Sequence, residues 1–140
     1  MVNEPDVLTR PILFVCLHGS AKSLIAAEHL NRLAAAQGSA VRAESAGIEP
    51  DADVPPAVVL GLAGDGINVR QYRPRQLTPE LIAGAAHIIV CGCELPPFAS
   101  PTASLESWDD LPFVSDGYEP ARNAIVERVE ELLACFDTDG

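Results

Sequence analysis

Cys16 closes an apolar run, Ile12-Leu13-Phe14-Val15-Cys16. A loop of mostly small residues follows, Leu17-His18-Gly19-Ser20-Ala21-Lys22, and a helical pattern begins at Ser23. A strand that stops at a thiol and then feeds a helix N-terminus makes an anion trap, because the free N–H groups of the loop and of the first helical turn converge on one point. The partial positive charge there, equivalent to about half a unit, favours an oxyanion and favours the thiolate form of a cysteine beside it. Cys16 is therefore expected to act as a thiolate nucleophile under a nest of N–H donors, suited to attack on phosphate or a phosphate-like oxyanion. The competing reading is a buried strand-end cysteine packed like a small hydrophobe. The loop favours the nucleophile. Gly19, Ser20 and Ala21 let backbone approach a ligand, Gly19 can take positive φ, and Ser23 can cap the helix or hydrogen-bond the thiolate.

Other reactive residues follow predicted strands. His87-Ile88-Ile89-Val90 runs into Cys91-Gly92-Cys93, and Ala103 to Trp108 runs into Asp109-Asp110. The fourth cysteine, Cys135, lies in the last helical pattern and is expected in the core. Only Cys91 and Cys93 form a tight pair, and no second pair of ligands stands at zinc-finger spacing, so no metal is expected. His29 reads as a packing or surface residue. Arg70, Arg73 and Arg75 read as a solvated loop that balances an acidic surface.

The elements that must position these groups alternate. Pro11 to Val15 reads as a buried strand. From Ser23, apolar residues recur at Leu24, Ala27, Leu30, Leu33 and Ala34 at helical spacing, and Gly38 ends the helix. Ala40 to Ser45 alternates as a second strand at a sheet edge. Pro55-Pro56 opens a helix through Val58, Val59 and Leu62. Thr78-Pro79-Glu80 carries the signature of a helix start. Pro96 to Pro101 reads as loop, and Pro120 to Phe136 as an amphipathic helix. Strands alternating with helices imply a single α/β domain with a four-stranded, mainly parallel sheet flanked by helices. Residues 1–10 are expected to be a loose tail and residues 11–137 the domain. Ligands of such sheets bind at the carboxyl ends of the strands, which is where the thiols and aspartates gather.

A chain of 140 residues suits one core. A formal charge of −11 argues against nucleic acid or an anionic membrane as partner. No stretch is long and apolar enough to span a bilayer, and the acidic first ten residues lack a signal-peptide core, so the expected location is cytoplasmic.

Taken together, these residues resemble the arsenate reductases built on the low-molecular-weight protein tyrosine phosphatase fold, over nearly the whole chain. Those proteins carry a Cys-x5-Arg-Ser/Thr loop, commonly CVHNxGRS, and Cys16, His18 and Ser23 match it. Glu44-Ser45-Ala46-Gly47-Ile48-Glu49-Pro50 is similar to the family's SAG segment. Val90-Cys91-Gly92-Cys93 is similar to its MGC segment, which gives Cys93 the position of a resolving cysteine.

The resemblance implies an enzyme that needs no cofactor. Cys16 would attack arsenate or phosphate held by residues Leu17, His18, Gly19, Ser20, Ala21 and Ser23, and Cys93 would resolve the adduct. A thiol donor such as thioredoxin or a mycothiol-type system would reset the disulfide. A phosphatase acting on a phosphomonoester through a cysteinyl-phosphate is the alternative, and a non-catalytic oxyanion-binding relative is a third. Three departures stand out. Lys22 replaces the family's arginine, which removes a bidentate fork but keeps a charge. The family's Asp-Pro acid segment is not reproduced; Asp110 is the expected acid, with Asp109 and Asp116 as rivals. The second resolving cysteine found in many of these reductases is replaced by the segment Glu94-Leu95-Pro96-Pro97.

Overall fold

The computed structural model describes residues 10–93, 95 and 104–139. Most of the expected tail and the expected loop Pro96 to Pro101 lie outside these residues. The elements are β1 (Ile12–Cys16), α1 (Lys22–Ala36), β2 (Ala43–Gly47), α2 (Pro56–Gly64), α3 (Pro79–Gly84), β3 (His87–Val90), β4 (Ser104–Ser107), a 3-10 turn (Val114–Asp116) and α4 (Tyr118–Asp139).

The sheet has the order β2-β1-β3-β4, and every pairing is parallel. The expected mainly parallel sheet is thus parallel throughout, with β2 at an edge. Its strand begins later than the alternation of Ala40 to Ser45 predicts. The Asn31 side chain on α1 grips both backbone groups of Ala43, donating to its carbonyl at 3.0 Å and accepting its N–H at 2.8 Å. That clamp sets where pairing with β1 starts.

Period-two alternation along β1 splits the core into two layers. Ile12, Phe14 and Cys16 face α1, α2 and α4 with Leu24, Leu62 and Ile125. Leu13 and Val15 face the α3 side with Leu77, Ile82 and Ile88. Trp108, buried after β4, meets Phe14 with ring centroids 5.6 Å apart and anchors the segment beyond the strand. Thr78 caps α3 as its sequence signature predicts, accepting the Leu81 N–H at 3.2 Å.

One expectation needs correction. Cys135 is exposed on α4, whose buried stripe runs through Ala121, Ile125, Val129, Leu132 and Leu133. At 100° per residue, Cys135 falls about a quarter-turn from the centre of that stripe, beyond its edge. Of the two roles open to Ser23, capping α1 is not the one seen: the helix starts one residue earlier, with no side-chain cap, and Ser23 turns inward to the Cys16 sulfur, 2.9 Å away.

Candidate active site

Cys16 ends β1 at the centre of the loop that connects it to α1. Three backbone bonds continue the β1–β2 ladder past the strand ends: Ile48 N–H to Cys16 O (3.2 Å), Glu49 N–H to Leu17 O (2.7 Å) and Asp51 N–H to His18 O (3.2 Å). The outward carbonyls of the loop are therefore occupied by the segment after β2. The first α1 hydrogen bond is Ile25 N–H to Ala21 O, so the N–H groups of Lys22, Ser23 and Leu24 lie ahead of the helical ladder.

The curvature of the loop depends on Gly19, which has φ of +63°. Its backbone packs directly on Gly47 at the end of β2. Gly47 is also held from the far side, accepting the Leu77 N–H and donating to the Arg75 carbonyl, both at 2.8 Å. Side chains brace the loop from outside. Ser20 Oγ donates to Asp51 Oδ2 at 2.7 Å, and His18 Nδ1 lies 3.0 Å from the Glu49 carbonyl and 3.5 Å from Asp51 Oδ1.

The Cys16 sulfur accepts the Gly19 N–H at 3.2 Å and lies 2.9 Å from Ser23 Oγ. Ser23 Oγ is 2.7 Å from Ser45 Oγ, and Ser45 Oγ is 3.4 Å from the Gly19 carbonyl. Ser23 has one proton. When the sulfur is a thiolate, it must be the acceptor, so Ser23 donates to Cys16 and Ser45 donates to Ser23. The long contact to Gly19 O is the weaker alternative for the Ser45 proton. The hydroxyls of Ser23 and Ser45 are buried, so this chain is shielded from solvent.

Lys22, the first residue of α1, sends its ammonium across the site, 4.7 Å from the centroid of the exposed Phe113 ring. A Cβ on Gly92 would stand 3.4 Å from that nitrogen, and Gly92 has φ of +74°. Cys91 N–H bonds to the Val15 carbonyl, which sets the β3 end beside Cys16, and Cys93 Sγ lies 4.0 Å from the same carbonyl. Burial pushes the Cys91 thiol far up, helped by the neighbouring Cys16 and Cys93. Cys93 is half-buried, and its pKa is pushed up to about 11, first by burial and then by Cys16 and Asp109, with Lys22 opposing.

Along the ends of β3 and β4 lies an open cleft of about 500 Å³, bordered by Gly92, Cys93, Leu95, Leu105, Ser107 and Asp109. Asp109 thus shares a wall with Cys93. Asp110, the expected acid, points the other way. Both its oxygens lie 2.6 Å from Arg128 Nη2 on α4, and that guanidinium sits 5.7 Å from the Trp108 ring. Its hydrogen bonds with Arg128 hold the Asp110 carboxyl below the usual range. Asp116 is exposed on the 3-10 turn.

The structure therefore gathers Cys16, Lys22, Ser23, Cys93 and Asp109, and separates Asp110 from them. Ser45, Gly47 and Asp51 complete the loop without any chemical signal in their own spacing; they were visible only as part of the Ser45-Ala46-Gly47 resemblance or as loop residues. Arg73 and Arg75 pair with Asp53 and Glu44 on the surface, as a solvated loop should. His29, expected to be a packing or surface residue, is buried.

Comparison with solved structures gives close matches of fold. The Corynebacterium glutamicum thioredoxin-dependent arsenate reductase Cg_ArsC1' is 25% identical, with a TM-score of 0.75, covering 96% of this chain and 70% of its own. An arsenate reductase in the phosphate binding state is 24% identical, with a TM-score of 0.72, covering 89% and 97% respectively. YfkJ from Bacillus subtilis is 22% identical, with a TM-score of 0.80, covering 92% and 95%. Among curated proteins, none matches. The model of one protein family, described as low molecular weight phosphotyrosine protein phosphatase, matches residues 11–94. That match spans the Cys16 loop, β2 and the thiols that follow β3, and the chain belongs to this family.

Proposed function

We propose that this protein is an arsenate reductase-type enzyme in which Cys16 is the nucleophile and Cys93 the resolving thiol. The observation that carries the reading is that Cys93, three residues beyond the end of β3, has its sulfur 4.0 Å from the carbonyl of Val15, the residue before Cys16. A hydrolytic phosphatase has no use for that thiol. The similar Corynebacterium glutamicum structure, itself a thioredoxin-dependent arsenate reductase, supports the same direction.

In this reading, arsenate seats on the loop N–H groups, with the Lys22 ammonium balancing its charge. The Cys16 thiolate attacks arsenic, and an oxygen leaves as water with a proton supplied from the cleft wall. Asp109 is the carboxyl that borders the cleft, so it takes the acid role in place of Asp110. Cys93 then attacks the Cys16 sulfur. The S–S bond forms, the S–As bond breaks, and its electron pair stays on arsenic, which leaves as arsenite. Two thiols are oxidised and arsenic is reduced by two electrons. A dithiol such as thioredoxin restores the pair. The reaction needs reduced thiols, which fits a reducing compartment such as the cytoplasm.

One observation favours a second reading. At a pKa of about 11, Cys93 is a weak nucleophile at neutral pH. A phosphatase reaction, with water cleaving a Cys16 phosphoryl intermediate, avoids that step. The reductase reading answers it in part: once Cys16 is bonded to arsenic, its charge no longer raises the Cys93 pKa.

The test is to mix reduced protein with arsenate, quench, and map disulfides by mass spectrometry, with Cys16→Ser and Cys93→Ser in parallel. An arsenate-dependent Cys16–Cys93 disulfide, absent from both variants, is expected. Its absence, together with turnover of an aryl phosphate that survives in Cys93→Ser, would establish the phosphatase instead.

A further inference from the structure

The Lys22 ammonium rests on two surfaces. One is the ring of Phe113, whose centroid is 4.7 Å away. Phe113 is 65% exposed, so the ring is not spent on the core. The other is the Gly92 turn, where a Cβ would stand 3.4 Å from the nitrogen. Gly92 has φ of +74°, which favours glycine, so the turn puts no side chain of its own between the ammonium and the backbone. Among the described residues, Lys22 has no carboxylate partner and no hydrogen bond; its contact is the ring.

Gly92 lies between two thiols. Cys91 is buried, with its N–H on the Val15 carbonyl. Cys93 is half-buried and borders the open cleft, so its sulfur is the one that water can reach. Burial, Cys16 and Asp109 all oppose a thiolate at Cys93, and Lys22 is the group that favours one. Asp110 takes no part, being committed to Arg128.

We propose that Lys22 is the charge partner of Cys93: its ammonium, seated against the Phe113 ring and the Gly92 turn, stabilises the Cys93 thiolate as it forms, and Phe113 is the residue that positions it. The proposal rests on the reductase reading, in which Cys93 resolves the Cys16 adduct. In that step the Cys93 thiol gives its proton to water in the cleft and the thiolate attacks the Cys16 sulfur. The S–S bond forms, and the S–As electron pair stays on arsenic. Negative charge therefore builds first at Cys93, next to the turn that carries the ammonium. Lysine suits two anions in turn, because its charge is a compact point on a flexible stem, whereas the planar fork of arginine is shaped for the oxyanion.

The test is alkylation of Cys93 by iodoacetamide in the full chain carrying Cys16→Ser, without arsenate. Mass spectrometry follows each thiol, with the exposed Cys135 as internal reference. Cys91 is buried and should stay unreactive in every variant that is folded. Lys22→Met should slow Cys93 about three- to tenfold between pH 7 and 9, the scale of one nearby charge at a protein surface. Lys22→Arg, which keeps the charge, should retain most of the rate. Phe113→Leu should slow Cys93 about twofold or more, and should have no effect once Lys22 is replaced by methionine. An unchanged Cys93 rate in Lys22→Met would overturn the proposal. So would slowing of equal size in Lys22→Arg, which would mark a structural role. A Phe113→Leu effect that persists at full size in Lys22→Met would overturn the part given to Phe113. No arsenate is present, so the outcome is separate from the disulfide test: a missing disulfide overturns the reductase reading, and an unchanged Cys93 rate overturns only the role of Lys22.

Discussion

Gly19 and Gly47 touch backbone to backbone. A Cβ built on Gly47 would lie 2.6 Å from the Gly19 nitrogen, and one built on Gly19 would lie 2.7 Å from the Gly47 nitrogen. The Cys16 loop is thus pressed against the end of β2 with no room for a methyl group on either side. The parallel register of β1 and β2, which pairs Cys16 with Gly47, brings the two glycines together. The loop owes its shape to this seam as much as to its own residues.

Gly47→Ala should therefore disturb the loop without touching a reactive group. The clash is with backbone, which cannot swing aside as a side chain can, so a cost of about 3 kcal/mol is expected. Urea unfolding of the reduced protein measures it. The variant should also lose phosphate protection of Cys16 against alkylation. Unchanged stability and unchanged protection would show that the seam is incidental.

The hydroxyl chain from Ser45 through Ser23 to Cys16 predicts a graded effect. Ser23→Ala removes the hydroxyl 2.9 Å from the Cys16 sulfur; a hydrogen bond to the attacking thiolate is worth about 1.5–3 kcal/mol, so alkylation of Cys16 should slow about tenfold or more. Ser45→Ala acts through Ser23 and should slow it less. Reaction rates with iodoacetamide, followed by mass spectrometry, give both numbers. Equal rates in all three proteins would mean that Ser23 donates toward Ser45 and not toward sulfur.

Much of this site was legible in the sequence because its central parts are local. A strand ending in cysteine, a small-residue loop and a helix start are consecutive, so Cys16, Gly19 and Ser23 could be read directly. The parallel topology followed from alternation of elements, and it correctly placed Cys93 at the same sheet edge. What could not be read depends on rotation about the chain between contacts. Asp109 and Asp110 are adjacent and chemically identical. Which one faces the cleft is decided by Trp108 burying beside Phe14 and by Arg128, eighteen residues on, taking hold of Asp110. Ser45 and Asp51 reach the loop only through the β1–β2 register. Cys135 misled because an apolar residue near an amphipathic stripe need not be on it.

Lys22 is the departure with the clearest consequence. Its ammonium is held over Phe113 near Gly92, a single charge without the planar fork that matches an oxyanion. Lys22→Arg is expected to raise phosphate affinity and turnover, and Lys22→Met to lower turnover by about 10- to 1000-fold, the scale of losing one preorganised donor. Steady-state kinetics with arsenate and an aryl phosphate test both. A neutral Lys22→Met would remove this residue from the site.

Asp65 should make part of the stability acid-sensitive. Although burial opposes it, hydrogen bonds from Arg122 and Tyr118 hold the Asp65 carboxyl below its ordinary value. A carboxyl with a depressed pKa in the folded state stabilises fully above the unfolded value and loses that contribution as pH falls through the folded one. Asp65→Asn should thus cost about 1–3 kcal/mol at pH 7, since it leaves Arg122 without its charged partner, and the gap from wild type should narrow as pH falls from the unfolded carboxyl range through the folded value. Denaturation at pH 7, 5 and 3 measures the difference. A gap independent of pH would point to lost packing and not lost charge.

Asp109 and Asp110 can be separated without any assay of turnover. Cys93 reacts through its thiolate, which at a pKa of about 11 is on the order of one molecule in ten thousand at pH 7. Its alkylation should rise about tenfold per pH unit from pH 7 toward 10. The negative charge of Asp109 helps to hold that pKa up, so Asp109→Asn should lower it and speed Cys93 alkylation at pH 8. Asp110→Asn should leave the rate alone, because that carboxylate is committed to Arg128 on the other side of the segment. Turnover should show the opposite sign at Asp109: the variant that makes Cys93 more reactive loses the proton donor and slows the first step. Faster alkylation with slower turnover in Asp109→Asn, and neither change in Asp110→Asn, is the expected signature. If Asp110→Asn alone slows turnover, the acid role returns to Asp110 and the Arg128 pair must open during the reaction.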